Sequence, residues 1–170
     1  MARIWSFGSD VNTDLIVPGR YAPYVTSDAE LRKFPFVEAR PEFASGVERG
    51  DVLVAGPNFG CGSSREYAAL ALRLCELGAI VAPSFARIFF RNALNLGLPL
   101  YEADARVFAD GERVELDHEA GTLRAADAPG TQPRIVHLPK PGAFERAIWS
   151  AGGMVPWFRA HGHFPQTVPS

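Results

Sequence analysis

Only two cysteines, Cys61 and Cys75, occur in 170 residues. That scarcity excludes a disulfide framework, and no CxxC pair marks a metal site. A cubane iron–sulfur cluster needs more thiolates than two, so this chain is not expected to bind one by itself, and no metal site is expected in it. Charge of one sign is lacking too: the net charge is -2 and the pI about 6.1. There is no basic surplus to hold a nucleic-acid backbone or an anionic membrane. No apolar run approaches the ~20 residues of a membrane span, and the segment after Arg3 lacks a signal-peptide core, so the expected location is cytoplasmic. Histidine is scarce as well. None of His118, His137, His161 or His163 lies in a context that marks it as a base for Cys61.

What remains is an ordinary globular composition, 47% hydrophobic and 21% charged, in a length that suits one domain with a real core. The expected domain spans residues 1–170, with its core over about 3–157 and a loosely ordered tail around His161-Gly162-His163. Ile4-Trp5-Ser6-Phe7, Val52-Leu53-Val54 and Ala79-Ile80-Val81-Ala82 read as strands, and residues 20–25 as an irregular loop. Ser27 and Glu30 have capping-box spacing for a short helix. A helix follows Arg65 and is expected to end at Gly78. A second, capped by Ser84, is expected to close at Gly97. Leu98-Pro99-Leu100-Tyr101 returns to the sheet. This strand–helix alternation predicts an α/β fold with a mostly parallel central sheet flanked by helices. Beyond Asp104 the period changes to two around the turn 117–121, which predicts additional β-hairpin strands. Residues 125–133 read as a loop, Ile135-Val136-His137-Leu138 as a strand, and about 143–151 as the final helix, stopped by Gly152-Gly153.

The chemistry concentrates in Asn58-Phe59-Gly60-Cys61-Gly62-Ser63-Ser64-Arg65-Glu66. Two glycines flanking one residue permit a sharp turn with backbone amides close to a ligand. The serines fall at the expected helix N-terminus, where unpaired N–H groups favour an anion. Arg65 adds a planar cation suited to carboxylate. A plain serine cap followed by a solvated Arg–Glu pair is the competing reading, but it requires neither glycine. Other motifs fail. Asp10-x-Asn12-x-Asp14 starts like a calcium loop, yet Leu15 and Tyr21 stand where glycine and the bidentate acid belong. The Gly-Lys-Ser/Thr ending of a phosphate loop is absent, and Arg65 replaces the third glycine of a dinucleotide fingerprint. Arg87 and Arg91 share a helix face and read equally as an interface cluster or a substrate contact.

Four ordered blocks resemble the small subunit of 3-isopropylmalate dehydratase, the swivel domain of the aconitase superfamily. They are Asp10-Val11-Asn12-Thr13-Asp14 with its extension to Tyr21, the Asn58 to Glu66 run, Ser84-Phe85-Ala86-Arg87-Ile88-Phe89-Phe90-Arg91-Asn92, and Asn95-Leu96-Gly97-Leu98-Pro99. The resemblance implies a swivelling β/β/α domain and a hydro-lyase of leucine biosynthesis, with a cytoplasmic heterodimer as the working unit. It implies a [4Fe-4S] cluster on a large-subunit partner, none on this chain, and an isolated chain without activity. It also implies Ser63 as catalytic base, Ser64 and Arg65 as binders of a small dicarboxylate, and Asp14 as an acid that orients its neighbours. Tyr21, Ala22, Pro23 and Tyr24 fall on the loop that selects the substrate's side group. Its apolar character favours an alkyl substituent over a third carboxylate, because an unpaired buried anion is costly. Related alkylmalates such as citramalate or dimethylmalate, or a non-catalytic carboxylate-binding module, stand as alternatives.

Overall fold

The structure, a computed structural model, describes residues 1–63, 65–126, 132 and 134–165. Ser64, most of the expected 125–133 loop and the last five residues lie outside them. Seven strands form one sheet in the order β4-β3-β2-β1-β5-β6-β7. They are β1 (Ala2–Ser6), β2 (Val52–Val54), β3 (Ala79–Ala82), β4 (Leu100–Glu102), β5 (Arg113–Asp117), β6 (Thr122–Ala125) and β7 (Ile135–His137). The first four pair in parallel, whereas β5, β6 and β7 extend the sheet through antiparallel pairings from β1. The expected parallel core and the added hairpin are both present.

Strands β2 and β3 are buried along their whole length, as befits a parallel sheet covered on both faces. Leu53 and Ile80 are direct partners and point to one face with Trp5. There they meet Ala68 and Leu72 of α4 (Glu66–Leu74) and Phe89 and Ala93 of α5 (Arg87–Asn95). Phe36 and Phe43 fill the same layer, which the short helices α1 (Thr13–Ile16), α2 (Asp28–Leu31) and α3 (Glu42–Gly46) help enclose. Alternate residues Val52, Val54 and Val81 face a second core with Tyr101, Phe108, Val114 and Leu123. Asp51 is buried beside β2, but its carboxylate accepts from the Arg3 and Glu48 amides and the Trp5 indole at 2.8, 3.0 and 2.9 Å. Burial without those donors would be costly.

Four local expectations change. Helix α4 ends at Leu74, and the left-handed residue beyond it is Glu76, not Gly78. Gly78 is needed for a different reason, since a Cβ there would stand 2.6 Å from the Gly50 carbonyl oxygen. Ser84 does not cap α5. Ala86 occupies the cap position, and the Ser84 hydroxyl instead accepts from the Asn58 amide at 2.9 Å. The segment read as irregular winds into a 3-10 helix, Gly19–Tyr24. Finally, α6 (Ala143–Ala151) is followed past Gly152 and Gly153 by α7 (Met154–His161). The helix expected to be the last is therefore not the last, and Pro156 lies in the first turn of α7, where proline removes no intrahelical bond.

Candidate active site

The loops leaving the carboxyl ends of β1, β2 and β3 are laced together by backbone bonds. Asp10 N–H donates to Pro57, Gly60 N–H to Val11 and Thr13 N–H to Cys61, at 2.9, 2.7 and 2.9 Å. On the other side Phe59 N–H donates to Ser84 and Ala86 N–H to Phe59, at 3.0 and 2.9 Å. Crevices at this end of a parallel sheet are the usual ligand sites of α/β folds. The topology therefore brings together three of the sequence blocks that lie tens of residues apart in the chain.

Each block adopts its shape for a local reason. The Asn12 side chain accepts from Leu15 N–H at 2.7 Å and so starts α1. Asp10 accepts from the Asn58 amide side chain at 2.8 Å, which supports Asn58 in its left-handed conformation. Gly60 has φ +78° and lies beneath the Phe89 ring, so that a methyl group there would overlap it. Gly62 turns the chain at φ +96°, where a Cβ would meet Thr13 Oγ1 and the Asn12 Cβ at ordinary contact distances of 3.4 and 3.6 Å. The buried Thr13 hydroxyl then donates to the Ser63 carbonyl at 3.1 Å, and Arg65 N–H donates to the same oxygen at 2.8 Å.

Ser63 is exposed at the head of this turn, and its hydroxyl has no hydrogen-bond partner among the described residues. It lies before the helix rather than capping it. Arg65 takes the N-cap position of α4, and no side chain caps that end. The plain serine-cap reading therefore does not hold for Ser63. The first turn of α4 leaves N–H groups without intrahelical acceptors, pointing toward the turn. Ser64 falls outside the described residues.

Arg65 projects to Asp14, whose Oδ1 accepts from its Nη1. The same oxygen accepts from Gly19 N–H at 3.2 Å. The guanidinium also lies 6.0 Å from the Tyr67 ring centroid. Desolvation works against its charge, but Tyr67 and Asp14 outweigh that and hold its pKa above the ordinary arginine value. Asp14 occupies one edge of a five-donor fork, leaving donors for a second carboxylate. The sequence reading missed Gly19, Thr13 and Tyr67. The role of Gly19 was not legible, because it depends on a residue 46 positions away.

The expected specificity loop is the 3-10 helix itself. Tyr21 stacks on Phe34 with ring centroids 5.0 Å apart, whereas Tyr24 is exposed. Arg20 pairs with Glu38 and lies 5.5 Å from the Tyr21 ring centroid. Arg87 and Arg91 are exposed on α5, flanking a half-exposed Ile88, without ion pairs among the described residues.

The thiols do not fit a resident cluster. Cys75 is buried in the core and its thiol is pushed up to about 11 by desolvation, which opposes the thiolate needed for ligation. The described residues contain no group of three metal-binding side chains. No described helix is long and apolar enough to cross a membrane.

Fold and site together define an α/β domain that presents an exposed serine hydroxyl and an arginine paired with Asp14 at the carboxyl end of a parallel sheet. The aconitase C-terminal domain family matches residues 13–104. A 3-isopropylmalate dehydratase small subunit from Deinococcus radiodurans is 48% identical, over 99% of this chain and 93% of that protein. A homoaconitase small subunit from Thermus thermophilus is 43% identical, over 97% and 99% respectively. The crystal structure of a 3-isopropylmalate dehydratase from Methanocaldococcus jannaschii superposes with a TM-score of 0.84 at 38% identity, covering 95% of this chain and 93% of that one. The chain belongs to the aconitase C-terminal domain family, among the small subunits of its hydro-lyases.

Proposed function

We propose that this chain is the small subunit of a 3-isopropylmalate dehydratase, interconverting 2- and 3-isopropylmalate by dehydration and rehydration in leucine biosynthesis. Residues 1–170 act as one swivelling domain that closes on a cytoplasmic large subunit. The observation that carries this reading is an exposed Ser63 hydroxyl, without a hydrogen-bond partner among the described residues, on the turn that leads into Arg65. Such a hydroxyl is free to approach a substrate C–H bond. Arg65 uses the donors not taken by Asp14 to hold a substrate carboxylate, with Ser64 as a second contact. Ser63, as alkoxide, takes the proton next to that carboxylate. The C–H electron pair forms the C=C as the adjacent C–O bond breaks to release hydroxide, and hydroxide with the proton held on Ser63 makes up the water released. An unperturbed serine is too weak a base for this step, so the nearby cation and the open amides of α4 must stabilise the alkoxide. A [4Fe-4S] cluster on the partner supplies Lewis-acid chemistry toward the leaving hydroxyl.

The Thermus relative raises a tricarboxylate as an alternative substrate. Against it, Arg20 is engaged by Glu38, and Tyr21, Ala22, Pro23 and Tyr24 bring no further cation. Citramalate and dimethylmalate fit the same apolar loop.

The test is anaerobic co-expression with a cluster-bearing large subunit and assay on isopropylmalate, citramalate, dimethylmalate and homoaconitate. Turnover is expected to be fastest on isopropylmalate. Ser63→Ala is expected to leave the complex intact and lower kcat by about 100-fold or more. Near-normal turnover by that variant would remove Ser63 as the base. Preference for homoaconitate would replace the alkyl reading, and inactivity on every substrate in an intact complex would favour a non-catalytic binding module.

A further inference from the structure

Gly19 does not owe its place to backbone conformation, because its φ lies outside the left-handed range. It owes it to space. A Cβ at this position would stand 2.7 Å from Arg65 Nη1 and 3.2 Å from both Cζ and Nη2. No other atoms are as close, so the volume a side chain would fill is taken by the Arg65 guanidinium. The Gly19 N–H donates to Asp14 Oδ1 at 3.2 Å, the oxygen that also accepts from Arg65 Nη1. Backbone amide, carboxylate and guanidinium thus meet at one atom, and Gly19 is also the first residue of the 3-10 helix that carries Tyr21 to Tyr24.

We propose that Gly19 is a positioning residue that seats the Arg65 guanidinium against Asp14 and fixes it in register with the 3-10 helix. The inference deepens the proposed function and rests on the reading of Arg65 as the carboxylate holder. The obstructed atoms are the far end of a flexible side chain. An alanine is therefore accommodated by displacement of Arg65 rather than by strain in the fold. A displaced fork still binds anions but presents its donors off-axis. Small misplacements of positioning groups cost about 100-fold in enzyme sites.

Two readouts test this separately. In the full-length chain labelled with nitrogen-15, the Arg65 Nε–H resonance is assigned by its loss in Arg65→Lys. Gly19→Ala is expected to shift that resonance and speed its exchange with solvent, while the melting temperature stays within about 3 °C. Asp14→Asn should act on the same resonance from the other side of the seat, which keeps the test available if the alanine variant folds poorly. An unmoved resonance in Gly19→Ala overturns the proposal. In the complex with the large subunit, Gly19→Ala is expected to raise the alkylmalate KM about 10-fold or more with a smaller change in kcat. In an Arg65→Ala background the same substitution should have no further effect on KM. An equal penalty in both backgrounds also overturns the proposal, since a merely structural role would persist without the guanidinium. If the resonance moves while KM does not, the seat stands and the carboxylate reading of Arg65 fails.

Discussion

Two glycines of this site are required for opposite reasons, and the difference predicts opposite phenotypes. At Gly19 the obstacle is the tip of a flexible arginine. At Gly60 it is the Cβ and Cγ of Phe89, a buried residue held between Phe59 and the body of α5. Gly60 also has φ +78°, where an L-residue is strained. Neither the ring nor the backbone can yield without moving the core. Gly60→Ala is therefore expected to destabilise the fold by about 2–4 kcal/mol, from left-handed strain plus overpacking. Chemical denaturation of the two variants checks the contrast. A Gly60→Ala protein as stable as the wild type would mean that Phe89 moves aside freely. The double-glycine turn was legible in the sequence, but the ring above it was not, because Phe89 reaches it from a helix 29 positions later.

At the scale of elements, periodicity located what local chemistry determines. Strand β3 and helix α6 fall on the expected residues, and the hairpin turn is built from Asp117, whose carboxylate accepts from the Glu119 and Ala120 amides at 2.9 and 2.8 Å. Tertiary partners overrode the remainder. Ser84 had the chemistry of a cap, but Asn58 from another loop uses its hydroxyl. The hairpin turn also makes a contact that no motif announced. Tyr101, on β4, hydrogen-bonds His118 Nδ1 at 2.6 Å, and the Trp149 ring of α6 lies within 6 Å of both. Burial pushes the Tyr101 hydroxyl up to about 12, so it stays a donor, and His118 must be neutral to accept. Burial also pulls the His118 pKa below its ordinary 6.5, with Asp117 opposing only in part. The folded state thus binds the proton less readily than the unfolded chain. The contribution to stability is complete above 6.5 and is lost as pH falls through the lower folded pKa. Unfolding free energy measured by urea titration should decline as pH drops from about 7.5 to 5.5. His118→Gln should flatten that decline. An unchanged slope in the variant would assign the pH dependence to other groups.

At the scale of the whole molecule, two cores stabilise one sheet while the loops that carry Ser63 and Arg65 gather at the carboxyl ends of its parallel strands. The elements that hold the fold and those proposed to face the substrate are largely separate. Thr13, Phe59 and Phe89 are buried supports, whereas Ser63 is exposed and, among the described residues, bonded only through its backbone. Removing its hydroxyl should therefore alter neither the fold nor the surface offered to a large subunit. A mixing experiment follows from this separation. Wild-type chain titrated into a limiting cluster-bearing subunit should raise turnover to saturation, and the chain alone should give none. Adding Ser63→Ala chain at a constant wild-type concentration should then lower turnover in proportion to its share of the total. Displacement of wild type by an inactive but intact competitor is the only simple source of that proportionality. If the variant fails to compete, Ser63 or its turn belongs to the docking surface itself, and loss of activity in Ser63→Ala could not be assigned to loss of a base. If the variant competes and the mixed activity stays at the wild-type level, the proton is taken by another group.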